Sequence, residues 1–155
     1  DFPSYNFDVI DGVTYQVDVT QPARYDSKGE LLDGQANRIQ NLSFNGQPID
    51  PEQEFVVATN NYRGGGGGNF PGIGPDKVVF EAPDTNRDVI VRYIIDMGTI
   101  NPSADGNWSF APAGGATALF STGPRAKEFL DSVEGVVLEP AGEGAEGFAR
   151  FRITL

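Results

Sequence analysis

Phe55-Val56-Val57-Ala58-Thr59-Asn60-Asn61-Tyr62-Arg63, then Gly64 to Gly68, then Asn69-Phe70-Pro71-Gly72-Ile73-Gly74, is the stretch that organises this chain. The apolar run Phe55 to Thr59 predicts a buried strand, so the glycines begin where a strand stops and the backbone turns at an exposed edge. Five consecutive glycines offer no side-chain packing and carry a large ordering entropy. Such a run is tolerated where backbone passes close to something or has to move. One cation, Arg63, and two rings, Tyr62 and Phe70, accompany it.

Towards the N-terminus, Asp11-Gly12 lies between Tyr5-Asn6-Phe7-Asp8-Val9-Ile10 and Val13-Thr14-Tyr15-Gln16-Val17-Asp18-Val19, which predicts a hairpin of two antiparallel strands. Residues 21–37 contain Pro22, Gly29 and Gly34 with little periodicity and read as a long loop. Ile39 to Phe44 is a further strand, turned at Asn45-Gly46 toward Pro48-Ile49.

Towards the C-terminus, Thr85 and Asp88 form a capping-box pattern, and Val89, Ile90, Tyr93, Ile94 and Met97 recur at helical spacing until Gly98 stops them. A second, shorter helix is expected from Pro124 to Ser132, ending near Gly135. Short strands are expected at 108–111, 118–121, 136–139 and 148–154, with a solvated hairpin loop over 139–147. These readings give an α+β fold with mixed or antiparallel sheets and few helices, in a single domain over 1–155.

Composition sets outer limits. The chain has 155 residues and 39% hydrophobic content, enough for one core. Asp and Glu number 22 against 11 Lys and Arg, a formal charge of −11, which argues against a general nucleic-acid or acidic-membrane surface. Cysteine and histidine are both absent, so thiolate chemistry, Cys/His zinc sites and imidazole-based triads are excluded within the chain. Lack of cysteine suits a cytosolic or a bacterial periplasmic protein equally. No apolar run approaches the roughly 18 residues of a membrane span. The opening Asp1-Phe2-Pro3-Ser4, without an initiator Met, leads us to expect a processed chain or a fragment.

Several motifs fail on spacing. A phosphate-cradling P-loop closes on Gly-Lys-Ser/Thr, whereas Gly68 is followed by Asn69-Phe70-Pro71. A dinucleotide fingerprint starting at Gly64-x-Gly66 needs Gly or Ala at position 69, which is Asn. Successive glycine N–H groups could still form an anion nest, and a flexible tether has the same composition. Asp84-x-Asn86-x-Asp88 opens like a calcium loop but has Val89 and Ile95 where Gly and Glu are required, so it reads as helix capping. Pairs such as Asp8 and Asp11 are expected by chance among 22 acids. Tyr62, Arg63 and Phe70 together suit a nucleotide, whose base stacks on aromatic faces and whose phosphate or ribose accepts from a guanidinium. In the bland reading Phe70 caps the core and Arg63 pairs with a carboxylate.

Over nearly its whole length the chain resembles the C-terminal domain of the bacterial 5'-nucleotidase family, most closely its cyclic-phosphodiesterase/3'-nucleotidase branch. The resemblance is carried by residues 5–13, 18–26, 38–42, 44–46, 57–63 and 83–87. It implies a two-domain parent: an N-terminal metallophosphoesterase domain holding two divalent metal ions hydrolyses the phosphoester, and this domain binds the 2',3'-cyclic or 3'-nucleotide. Catalytic and metal-binding residues, and any cofactor of this chain's own, are accordingly not expected here, and the isolated chain is expected to be inactive. The location implied is the periplasm, with neither nucleic acid nor membrane as partner.

By the same resemblance Tyr62 stands where this branch has its stacking tyrosine, Phe70 near the loop phenylalanine of the 5'-nucleotidase branch, and Phe7 near that branch's other ring. Arg63 and either Asn60 or Asn61 would contact ribose or base edges, and Gly64, Gly65, Gly66, Gly67 and Gly68 would allow close backbone approach. The sequence departs from the family in having more glycines and a longer loop, and the family domain is expected to begin upstream of Asp1. Two rival readings stand beside it: a non-catalytic extracellular β-rich module binding carbohydrate or protein, and an independent hydrolase using carboxylates alone.

Overall fold

Thr14–Val17, strand β1, alternates polar and apolar residues, and a period of two puts Tyr15 and Val17 on one buried face. In the computed structural model of the chain, which describes residues 6–155, this short strand sits inside a four-stranded sheet. Strand β2 (Ile39–Phe44) pairs with it antiparallel and β4 (Trp108–Phe110) parallel, while β3 (Gln47–Pro48) extends the sheet beyond β2. The Asn45-Gly46 turn joins β2 to β3 with both φ angles positive, 51° and 74°, as a two-residue hairpin of matched twist requires.

A second sheet has the order β5-β7-β6, formed by β5 (Thr117–Thr122), β6 (Val137–Glu143) and β7 (Ala149–Thr154), all antiparallel. Phe151 on the central strand is 1% exposed and its ring meets that of Phe120 at 5.8 Å. Pro140 lies on the edge strand β6, where a missing donor is tolerated. The segment expected as a second helix, Pro124–Ser132, is helical in its 3-10 form.

Both sheets belong to one compact unit, made of the described residues up to Arg24 with Leu32–Ile49 and Asn107–Leu155. Its aromatic centre is Trp108, with ring centroids of Phe7, Tyr15 and Phe110 at 5.7, 6.4 and 5.4 Å. A second unit comprises Tyr25–Leu31 and Asp50–Gly106. It carries helix α1 (Asn61–Gly64) and helix α2 (Asn86–Met97). Thr85 and Asp88 form the expected capping box on α2, and Gly98, at φ 69°, closes it by donating its N–H to Ile94 O. No helix among the described residues is long and apolar enough to cross a membrane. The architecture is α+β, with two sheets and few helices.

Two expected strands do not form. Tyr5 lies outside the described residues, and Phe7 to Ile10 are irregular, so no hairpin turns at Asp11-Gly12. Both edges of β1 are already taken, by β2 and by β4. The polar groups left over find side chains instead: Asn107 Nδ2 donates to Ile10 O at 2.7 Å and Val13 O at 3.0 Å, and Ile10 N donates to the Tyr15 hydroxyl at 3.3 Å. Phe55 to Thr59 is likewise not a buried strand. It is irregular in conformation, and Val56 is 86% exposed. Apolar composition alone cannot supply the ladder partner that defines a strand.

Candidate functional site

The candidate site is built within the second unit, on the turn that leaves α1. Asn60 caps α1: its backbone is extended and its side-chain oxygen accepts the Arg63 N–H at 2.9 Å. Asn61 and Tyr62 then occupy the first turn, both exposed, with Tyr62 at 57%. Arg63 has the opposite fate. It is 7% exposed, the one buried charged residue among the described residues.

The Arg63 guanidinium faces two rings. Its Cζ lies 4.5 Å from the Phe70 centroid and 5.4 Å from the Tyr62 centroid, both within cation–π range, and Nη1 donates to Gly67 O at 3.0 Å. Packing of this kind holds a weakly hydrated, planar cation better than a lysine ammonium. The single residue Arg63 therefore touches the residue before it, the fourth glycine of the run and the ring beyond it.

The glycines are used unequally. Gly66 and Gly68 adopt φ +91° and +84°, where a side chain is strained. At Gly67 a Cβ would sit 2.5 Å from Tyr62 O and 2.6 Å from the Tyr62 ring, so the ring lies against bare backbone. Gly64 meets nothing closer than 3.6 Å, an ordinary contact. The N–H groups of Gly64, Gly65, Gly66 and Gly67 already donate to Asn60 O, Asn61 O, Arg63 O and Tyr62 O at 2.8 to 3.0 Å. An anion nest on those four amides is ruled out, because a donor aimed at its own chain cannot also cradle a ligand.

The loop Tyr25–Leu31 supports this turn from outside. Asp26 Oδ1 accepts the N–H groups of Lys28 and Glu30 at 2.8 and 2.9 Å, folding Tyr25–Leu31 into a tight loop closed by a Tyr25–Leu31 bridge. The bonds from Glu30 and then Lys28 hold the Asp26 carboxyl below its ordinary value. Asn69 Nδ2 donates to Ser27 O at 3.2 Å, across 42 positions of sequence. The local signal for this loop, Asp26-Ser27-Lys28-Gly29, is a turn signature; that it meets Asn69 is not encoded locally.

Tyr62, Arg63, Gly67 and Phe70 are thus brought together, with Asn60 and Asn61 on the adjoining helix. Phe7 belongs to the other unit, where its half-exposed ring meets Trp108. Among the described residues no group of three or more Asp and Glu side chains could hold a metal ion, and the chain has neither His nor Cys. These residues do not fit a two-metal hydrolytic centre.

A trifunctional nucleotide phosphoesterase protein, YfkN, of Bacillus subtilis (strain 168) is 49% identical over 153 residues, 98% of this chain. The 2',3'-cyclic-nucleotide 2'-phosphodiesterase/3'-nucleotidases of Salmonella typhimurium and Haemophilus influenzae are 45% and 41% identical over 99% of it. The chain spans 10% of the Bacillus protein's length and 25% of the other two, all of them larger proteins. No solved structure matches. Residues 1–74 match the family model for the 5'-nucleotidase, C-terminal domain. The chain is thus similar to the 5'-nucleotidase C-terminal domain over residues 1–74 and to nucleotide phosphoesterases along almost its whole length.

Proposed function

We propose that this chain is the substrate-specificity domain of a phosphoester hydrolase acting on 2',3'-cyclic or 3'-nucleotides, and that the turn at residues 60–74 binds the nucleoside base. The observation that carries the reading is the exposed Tyr62 ring, held against the bare backbone of Gly67 beside Phe70 and Arg63. A flat base stacks on such a ring and gains about 1–3 kcal/mol. Asn61, exposed next to it, is within the same turn to meet ribose or a base edge, while Asn60 and the glycines give the turn its shape.

Hydrolysis itself belongs, in this proposal, to a metallophosphoesterase domain of the same polypeptide, with two divalent ions supplied there and the whole located in the periplasm. The names of the relatives and their greater length support a partner domain.

Titrating the chain with adenosine 3'-phosphate while following the amide signals of residues 60–74 tests the reading. Shifts confined to that turn, lost in Tyr62→Ala, are expected at millimolar ligand. Shifts elsewhere, or shifts only with sugars, would replace it with a carbohydrate-binding module.

A further inference from the structure

We infer that Arg63 is a positioning residue, which orders the glycine run and aims the Phe70 and Tyr62 rings without itself touching the nucleotide. The inference rests on the base-binding reading of the turn and refines it.

Three observations carry it. Arg63 is 7% exposed, so its guanidinium is not presented to a ligand arriving from solvent. One of its donors is committed to Gly67 O at 3.0 Å, inside a run that has no side chains of its own to hold it. The cation also lies between two rings, at 4.5 Å from Phe70 and 5.4 Å from Tyr62. Polyglycine is costly to order, and a part-buried bond to the carbonyl of its fourth residue selects one conformation from many. One face of the Phe70 ring is therefore turned to Arg63.

This assignment separates Arg63 from a phosphate clamp. A guanidinium that binds phosphate discriminates nucleotide from nucleoside. A guanidinium that only shapes the turn changes both alike.

The test uses the 155-residue chain and the variants Arg63→Lys and Arg63→Gln. Amide order parameters of Gly64–Gly68 are measured without ligand, and affinities are then measured for adenosine and adenosine 3'-phosphate. The wild-type glycines should be as ordered as helix α2, and both variants should lose that order. Both ligands should weaken by the same factor, five-fold or more, about what one base–ring stack supplies. Loss confined to adenosine 3'-phosphate would make Arg63 a direct phosphate ligand and overturn the inference, as would glycine amides equally ordered in wild type and variants. If the wild type binds neither ligand, the base-binding reading falls while the amide order alone still decides the role of Arg63. Should the variants lose the Trp108 and α2 signals of the fold, Gly67→Ala gives the answer with Arg63 intact. Its Cβ would strike Tyr62 O and ring atoms at 2.5–2.6 Å and release the turn; unchanged glycine order in that variant overturns the inference.

Discussion

The carbonyl oxygen of Asn69 lies 2.5 Å from the point where a Cβ would stand on Gly29. Two loops 40 positions apart are thus in backbone contact, with Asn69 itself at φ 58° and Gly29 at φ +82°. Gly29→Ala meets both obstacles, a strained dihedral and an immovable carbonyl. It should destabilise the chain by about 1–3 kcal/mol, read as a lower urea midpoint. An unchanged midpoint would mean that the Tyr25–Leu31 loop does not rest on Asn69 in solution.

Within the glycine run the expected effects differ in sign. Gly64→Ala, with ordinary contacts and no positive φ, should be neutral or stabilise by up to about 1 kcal/mol through the unfolded chain. Gly66→Ala and Gly68→Ala, at φ +91° and +84°, should each cost about 1–2 kcal/mol. Equal effects at all three positions in denaturant unfolding would show that the run is a tether without a fixed path.

Acid should act through Asp26 and Asp18. The Asp18 carboxyl is held below its ordinary value by the Thr20 hydroxyl and N–H, and Asp26 by the backbone of Glu30 and Lys28. A carboxyl lowered in the folded state stabilises fully above its unfolded value of 3.8, and that contribution disappears as pH falls through the lower folded value. The stability gap between wild type and Asp26→Asn should stay constant above 3.8 and shrink below it. A gap that widens with acid would contradict the assignment.

Helix α2 depends on its first turn. Thr85→Ala removes the oxygen that accepts the Asp88 N–H at 3.2 Å and should cost about 1 kcal/mol, whereas Thr85→Ser should recover most of it. Far-ultraviolet dichroism through thermal unfolding reads both. Equal midpoints for the Ala and Ser variants would argue that tertiary packing, not the cap, sets the start of the helix.

The parts that the sequence made legible are those whose cause is local. Asn45-Gly46 fixes its own turn, and Thr85, Asp88 and Gly98 fix both ends of α2. Asp11-Gly12 carries an equally good local signal, but the partners of β1 come from Ile39–Phe44 and from Trp108–Phe110, and a two-residue turn is silent about competitors that distant. Phe55 to Thr59 misleads for a related reason: an apolar run announces a wish to be covered, not the strand that would cover it. At the candidate site, Tyr62, Arg63 and Phe70 were readable as a group because they are neighbours in sequence. The inward turn of Arg63 and the support from Ser27 were not, since both depend on where the glycine backbone goes.

The self-satisfied amides of Gly64 to Gly67 also bear on how ionic strength governs this protein. A turn with few open donors recognises a flat face and does little to attract a negative charge, while the chain as a whole carries a formal charge of −11. A nucleotide anion therefore approaches against a repulsive field, and the Arg63 guanidinium in the turn is buried. Added salt screens that field over about 10 Å at 0.1 M. Association with adenosine 3'-phosphate should quicken as salt rises, opposite to the behaviour of a cationic phosphate site, and adenosine should be indifferent to it.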